Sequence, residues 1–339
     1  MTTRTDLTNS GFEKKKRTLK EYLGIYLRGA AMGASDIVPG VSGGTIAFIF
    51  GIYEELIESI RKFGDPEFLR AVFRFRIKKI LELANWEFLL ALGLGILTAI
   101  FTLSHFLEWL MFNQPVYLWS FFFGLVIASI LLVGKRIANW TRSLWGMLAL
   151  GTTFAFVLVG LVPTHTPETW WFMILSGAAA SVALILPGIS GSFILLLMGK
   201  YQHVVGAVTD HDYVTLALVA VGAVLGLVTV AQLISRLFKK YHDLTVALLT
   251  GFMVGSLRKI WPWREAVSWL QDDAGNFILD SEGHRRVIAE ALRLPDFASP
   301  EGMTQFALAL VFVVIGATLI ILVERIATKD AQEKTEVVE

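Results

Sequence analysis

The sequence predicts an all-α polytopic membrane protein made of two inverted-topology repeats, each a broken or re-entrant helical hairpin followed by about three transmembrane helices. Three observations lead there. Of 339 residues, 55% are hydrophobic and 17% charged, with mean hydropathy +0.61, whereas a soluble domain carries roughly 25% charged residues. Apolar runs of about 18 residues recur, enough at ~1.5 Å per residue to cross a ~30 Å hydrocarbon layer. Finally, "LRGAAMGASDIVPGVSGGTIAFIFGIYEELI" from Leu27 and "LSGAAASVALILPGISGSFILLLMGKYQHVV" from Leu175 align without a gap at a constant offset of 148.

The apolar segments fall near 22–38, 43–60, 86–110, 117–134, 144–162, 171–186, 191–208, 214–236, 244–257 and 306–323. Spanning backbone must satisfy its own hydrogen bonds, so these segments are expected to be helical. Tryptophans 86, 109, 119, 140, 145, 170, 171 and 261 flank many of them and suit interfacial belts. Identical pairs across the repeat include Gly29/Gly177, Ile37/Ile185, Pro39/Pro187, Gly40/Gly188, Ser42/Ser190, Gly43/Gly191 and Tyr53/Tyr201. A weaker echo follows, "FFGLVIASI" at 122–130 against "LTGFMVGSL" at 249–257.

Five segments per half is an odd number of crossings, which places the second copy upside down relative to the first. Charge agrees. The basic clusters at 14–20, 74–79, 135–142, 236–240 and 325–329 can share one side, while the short loops 111–116, 162–169 and 209–213 contain no Lys or Arg. The positive-inside rule then puts both termini in the cytoplasm. The resulting division is a basic cytoplasmic tail (1–20), repeat 1 (21–162), repeat 2 (163–325) with an extracytoplasmic loop (258–305), and a cytoplasmic tail (326–339). The hairpins 22–60 and 171–208 return to their side of origin whether they cross fully or dip in, and the Pro-Gly break favours re-entry.

At the break, proline lacks an N–H and disfavours helix in the residue before it, so the first helix should stop near Val38. Pro39 and Gly40, with Pro187 and Gly188, are the hinge positions. Ser42 is expected to cap the next helix and leave the amides of Gly43, Gly44 and Thr45 pointing outward; Ser190, Gly191 and Ser192 repeat the arrangement. A helix N-terminus attracts anions, and inverted repeats bring such ends together near the midplane. Two converging ends with hydroxyls would suit a phosphate or carboxylate. The competing reading is that the small residues serve only close helix packing.

Ionisable residues within apolar segments are costly and mark further candidates. Arg28 and Lys200 suit phosphate oxygens, against snorkelling or an internal ion pair. Asp36, with Leu184 as its counterpart, and Glu54 are candidates for coupling to a proton or sodium ion. Glu54, Glu58, Arg61 and Lys62 also have the spacing of a helical charge ladder, and His105 with Glu108 shares a helix face. With no cysteine and no zinc-like histidine spacing, no metal site is expected. No phosphate-binding loop, dinucleotide fingerprint or nucleophile elbow is present, nor a nucleic-acid module. Neither catalytic residues nor a cofactor beyond a coupling ion is expected.

The stretches "SDIVPGVSGGTIAFIFGIYEELI" and "LPGISGSFILLLMGKY" closely resemble the bacterial polyprenyl-phosphate transporter family, with a resemblance running from about residue 20 to 325. It implies a multi-pass protein of the bacterial inner (cytoplasmic) membrane. It further implies that the partner is a polyprenyl phosphate lipid, undecaprenyl phosphate, returned to the cytoplasmic leaflet for envelope glycan synthesis. The resemblance says nothing of oligomeric state. Two rival functions are a small-anion transporter or channel using the same helix-end site, and a membrane phosphatase or phosphotransferase acting on the lipid phosphate, which would need a nucleophile or acid–base set that the sequence does not show.

Overall fold

A computed structural model describes residues 17–38, 41–164, 166–167, 169–269, 277–278, 283, 285 and 287–336. The basic tail up to residue 16 and the hinge pair Pro39–Gly40 lie outside the described residues.

The chain is mainly helical. Helix α1 (Leu19–Ile37) begins at a Thr18–Glu21 capping box, which satisfies two otherwise unpaired backbone donors. It ends at Val38, whose extended backbone is what a following proline demands. Two short helices follow, α2 (Gly43–Ile49) and α3 (Tyr53–Arg61). The apolar segment 43–60 is therefore two helices, because Gly51 turns the chain with φ +67, a region open mainly to glycine. A 3-10 turn (Lys62–Gly64), α4 (Pro66–Phe73) and α5 (Ile77–Leu83) lead into α6 (Trp86–Asn113), α7 (Pro115–Lys135) and α8 (Arg142–Leu158).

The second half runs α9 (Trp170–Ile185), α10 (Gly191–Leu197), α11 (Tyr201–Thr209) and α12 (Tyr213–Ser256). Two antiparallel strands, β1 (Arg264–Trp269) and β2 (Val287–Leu292), then precede α13 (Pro300–Glu336). Strands in the 258–305 loop were not expected of an all-α chain. The last helix also runs from Pro300 into the segment read as a tail. Among the described residues, four helices have the length and apolarity to span a membrane, 86–113, 115–135, 213–256 and 300–325; α8 and α9 are shorter and apolar.

The duplication is visible in the backbone. Helices α2 and α10, and α3 and α11, start and stop at positions 148 apart, and Gly199 repeats the positive φ of Gly51. Beyond α3 the offset falls to 127. Gln114, between α6 and α7, has φ −138 and ψ 49, while Tyr241 kinks α12 with φ −139 and ψ 53. The 21-residue difference is the α4–α5 insertion, present only in the first half.

Packing repeats too. Helix α1 packs on α6 as α9 packs on α12, with Gly29 against the Leu92 carbonyl and Gly177 against that of Val219. Any side chain at either glycine would strike backbone. Other contacts are exchanged between the halves. Helix α8 packs on the second arm of α12, and α13 packs on α7. Tyr53, Phe88, Ile189 and Met253 lie in the shared interior, each under 2% exposed.

Candidate functional site

The two breaks meet. Helix α2 packs against the end of α9, where a Cβ on Gly44 would approach the Ile185 carbonyl to 2.5 Å. Ser42 Oγ donates to the Leu184 carbonyl at 3.3 Å. The Gly188 amide donates to Thr45 Oγ1 at 2.7 Å. Ser42 and Thr45 are almost fully buried, so each break is tied to the other through side chains inside the protein.

The first half-helix differs from the sequence expectation. Its leading amides do not point outward unpaired. Gly43 N–H donates to Asp36 Oδ1 at 2.6 Å, Gly44 N–H to Ser42 Oγ at 3.1 Å, and Thr45 N–H to the Ser42 carbonyl at 2.8 Å. Asp36 reaches back from α1 to occupy the position an external anion would take, a favourable place for a carboxylate. Every residue of α2 is buried, and this end of the junction is sealed.

The second half-helix is open at Ser192, although Gly191 and Phe193 on either side of it are buried. Ser190 occupies the cap position of α10 without the expected capping bond; its Oγ pairs instead with Ser192 Oγ at 2.9 Å. The amides of Gly191, Ser192 and Phe193 have no hydrogen-bond partner among the described residues. Ser192 is exposed, whereas its counterpart Gly44 is buried. The cause is compositional: Leu184 stands in α9 where Asp36 stands in α1, and it offers no acceptor. Pro187 and Gly188 are buried, and Gly188 has φ +85.

The remaining candidates lie elsewhere. Lys200 is at the far end of α10, 1% exposed, with Nζ donating to the Thr166 carbonyl at 2.9 Å. It holds the chain at Thr166, and two residues earlier Thr164 N–H donates to the Leu197 carbonyl at 3.0 Å. Arg28 lies about 12 Å along α1 from Asp36, lining a cleft with Ser129, Arg136 and Glu324. Glu54 is exposed on α3, with Oε1 3.3 Å from His242 Nε2.

Sequence reading missed several groups. Arg136 served there only as a topology marker, yet its guanidinium donates to the Ile49 carbonyl at the end of α2 (3.4 Å) and lies 3.5 Å from Glu324. Glu58, read as part of a helical charge ladder, is buried. It binds Arg61 in a two-pronged pair, accepts from Ser235 Oγ at 2.7 Å, and lies 3.3 Å from Lys239 on α12. Trp119, assigned to an interfacial belt, is 7% exposed beneath the Arg264 guanidinium. Among the described residues, no group of three His, Cys, Asp or Glu side chains is placed to hold a metal.

The sequence model of the VCA0040-like, undecaprenyl phosphate translocase-like family matches residues 32–278, a span containing both breaks. The chain belongs to this family. A Vibrio cholerae serotype O1 relative, named polyprenyl-phosphate transporter, is 40% identical over 311 residues, covering 91% of this chain and 98% of its own. A Staphylococcus aureus relative of the same name is 34% identical over 254 residues, covering 70% of this chain and 85% of its own. No solved structure matches. The family match begins after Arg28, so that residue stands outside it, whereas Asp36, both serine caps and Lys200 stand within.

Proposed function

We propose that this protein translocates undecaprenyl phosphate across the bacterial cytoplasmic membrane, returning the carrier lipid to the cytoplasmic leaflet for reuse in envelope glycan synthesis. Family membership and relatives named polyprenyl-phosphate transporters support a polyprenyl phosphate as cargo. The observation that carries the reading is the meeting of two chain breaks, one sealed by Asp36 and one open at Ser190–Ser192.

In this account the polyprenyl tail stays in lipid while the phosphate head crosses through protein. Free backbone donors are costly in hydrocarbon unless something polar meets them. The open α10 turn, with Ser190, Gly191 and Ser192, meets the head directly. Ser42, Gly43, Gly44 and Thr45 form the rigid floor beneath it. The hairpins are re-entrant, the repeats inverted and both termini cytoplasmic, so rocking one repeat against the other alternates access. The Arg28–Arg136 cleft is the cytoplasmic release side, where arginines suit phosphate oxygens. Lys200 acts by bracing the outer loop. Asp36, adjoining the junction in one copy only, is the group through which a proton or sodium ion would couple.

The test is reconstitution of the purified protein into vesicles carrying labelled undecaprenyl phosphate, with leaflet accessibility followed over time. The expected result is protein-dependent movement of this lipid and none of phosphatidylglycerol. No movement, or equal movement of both lipids, overturns the reading. Release of inorganic phosphate would indicate a lipid phosphatase, and flux of free phosphate across sealed vesicles a small-anion transporter.

A further inference from the structure

Two cations and one carboxylate of the 258–305 segment lie together, apart from the junction. Lys259 follows α12, Arg264 opens β1 and Glu290 lies on β2. Arg264 Nη1 donates to Glu290 Oε2 at 2.7 Å, and Lys259 Nζ to the same oxygen at 3.3 Å. Two cations thus share one carboxylate. The side chains of Arg264 and Lys259 are only 6% and 20% exposed. Burial holds the pKa values of both below their usual range, the direction expected of positive charge short of compensation.

The Arg264 guanidinium retains an unused donor. Arg264 Nε is buried without a hydrogen-bond partner among the described residues. Its guanidinium stacks 3.9 Å from the centre of the Trp119 ring, which fixes its plane. Lys259 Nζ lies 5.1 Å from the centre of the Phe193 ring. Phe193 is the third residue of α10 and belongs to the open turn itself. Glu265, the other charge on β1, is already matched, since it pairs with Arg293 just beyond β2 at an exposed position. A buried excess cation is strongly unfavourable unless an anion joins it. A planar guanidinium beside an ammonium is suited to phosphate oxygens.

We propose that Lys259 and Arg264 form a second anion station, which receives the lipid phosphate head beside the α10 turn before it reaches the junction. The station rests on the transport reading above. Its ligand class is a phosphate monoester on an isoprenoid chain, a head that carries close to two negative charges at neutral pH. Glu290 sets the order of events: it holds both cations in place and yields part of their hydrogen-bonding capacity when the head arrives.

The test is calorimetric titration of the full-length protein in detergent with farnesyl phosphate, using farnesol as the uncharged control. Wild type should bind the phosphate and not the alcohol. Arg264→Gln should weaken binding about tenfold or more, in line with losing a charge-assisted pair, and Lys259→Met should act in the same direction. Glu290→Gln discriminates between roles. With a receiving station its affinity equals or exceeds that of wild type, because a competing anion has gone. With a merely structural ion pair it weakens as Arg264→Gln does, and the station is overturned. Unchanged affinity in both Arg264→Gln and Lys259→Met, with tryptophan-monitored melting confirming their fold, also overturns it. That outcome leaves the transport reading intact, whereas no binding of farnesyl phosphate by wild type removes both.

Discussion

Thr45→Val tests whether the two breaks are one structural unit. Thr45 Oγ1 accepts from the Gly188 amide at 2.7 Å, and both residues are buried. Valine has nearly the same shape, so packing is preserved while the acceptor disappears. The Gly188 amide is then buried without a partner, at a cost of about 1–3 kcal/mol. Gly188 cannot readily swing to another acceptor: its φ is +85, and a Cβ there would already meet Ser256 Oγ at 2.6 Å. In a chain of this size such a loss lowers the apparent melting temperature by roughly a few degrees. Thr45→Ser, which keeps the oxygen, should melt close to wild type. The assay is thermal unfolding in detergent followed by tryptophan fluorescence, with transport measured on the same preparations. If Thr45→Val melts and transports like Thr45→Ser, the bond does not join the breaks and the reasoning fails.

Three further outcomes follow from individual contacts. Asp36→Asn keeps a carbonyl oxygen for the Gly43 amide, now at 2.6 Å from the carboxylate, so it should fold normally. Asp36→Leu, which copies the second repeat, should lose about 1–3 kcal/mol; equal melting of the two would show that the Asp36 contact is dispensable. Lys200→Met should loosen the chain around Thr164 and Thr166, because the ammonium at 2.9 Å from the Thr166 carbonyl is its buried anchor. The readout is faster amide exchange at Thr164 and Thr166, and unchanged exchange would refute the bracing role. The α4–α5 insertion presents Phe73, Phe75 and Ile77 outward, 80%, 88% and 69% exposed, among Arg70, Arg74, Arg76 and Lys78. Such a surface belongs at the membrane interface. In this cysteine-free chain, a fluorophore on Phe73→Cys should be quenched by nitroxide lipids rather than by aqueous iodide; the reverse would place the hairpin in water.

The broken hairpins were legible in the sequence because their causes are local. A proline dictates the end of α1 at Ile37, and glycines that recur 148 residues apart dictate matching turns at Gly51 and Gly199. The exchanged packing of α8 and α13 was not legible, since it depends on which helix faces meet across the whole chain. The same limit explains the site. The motif shows two equivalent caps, yet one differing residue, Asp36 against Leu184, seals the first and leaves the second open. Lys200 and Glu58 read as a candidate phosphate ligand and a rung of a charge ladder because their partners, Thr166 and Ser235, are not identifiable from spacing. Arg264 gave no signal at all: its meaning comes from Trp119, 145 positions earlier.

The most direct measurement of the central claim is substrate protection at the open turn. Ser192 is exposed beside Ser190, and the chain has no cysteine of its own, so Ser192→Cys provides a single reactive thiol. In reconstituted vesicles, undecaprenyl phosphate should slow its modification by a membrane-impermeant thiol reagent, and undecaprenol at the same concentration should not. Equal rates with the phosphate, the alcohol and no addition, in a variant that still transports, would contradict a phosphate head bound at the meeting of the two breaks.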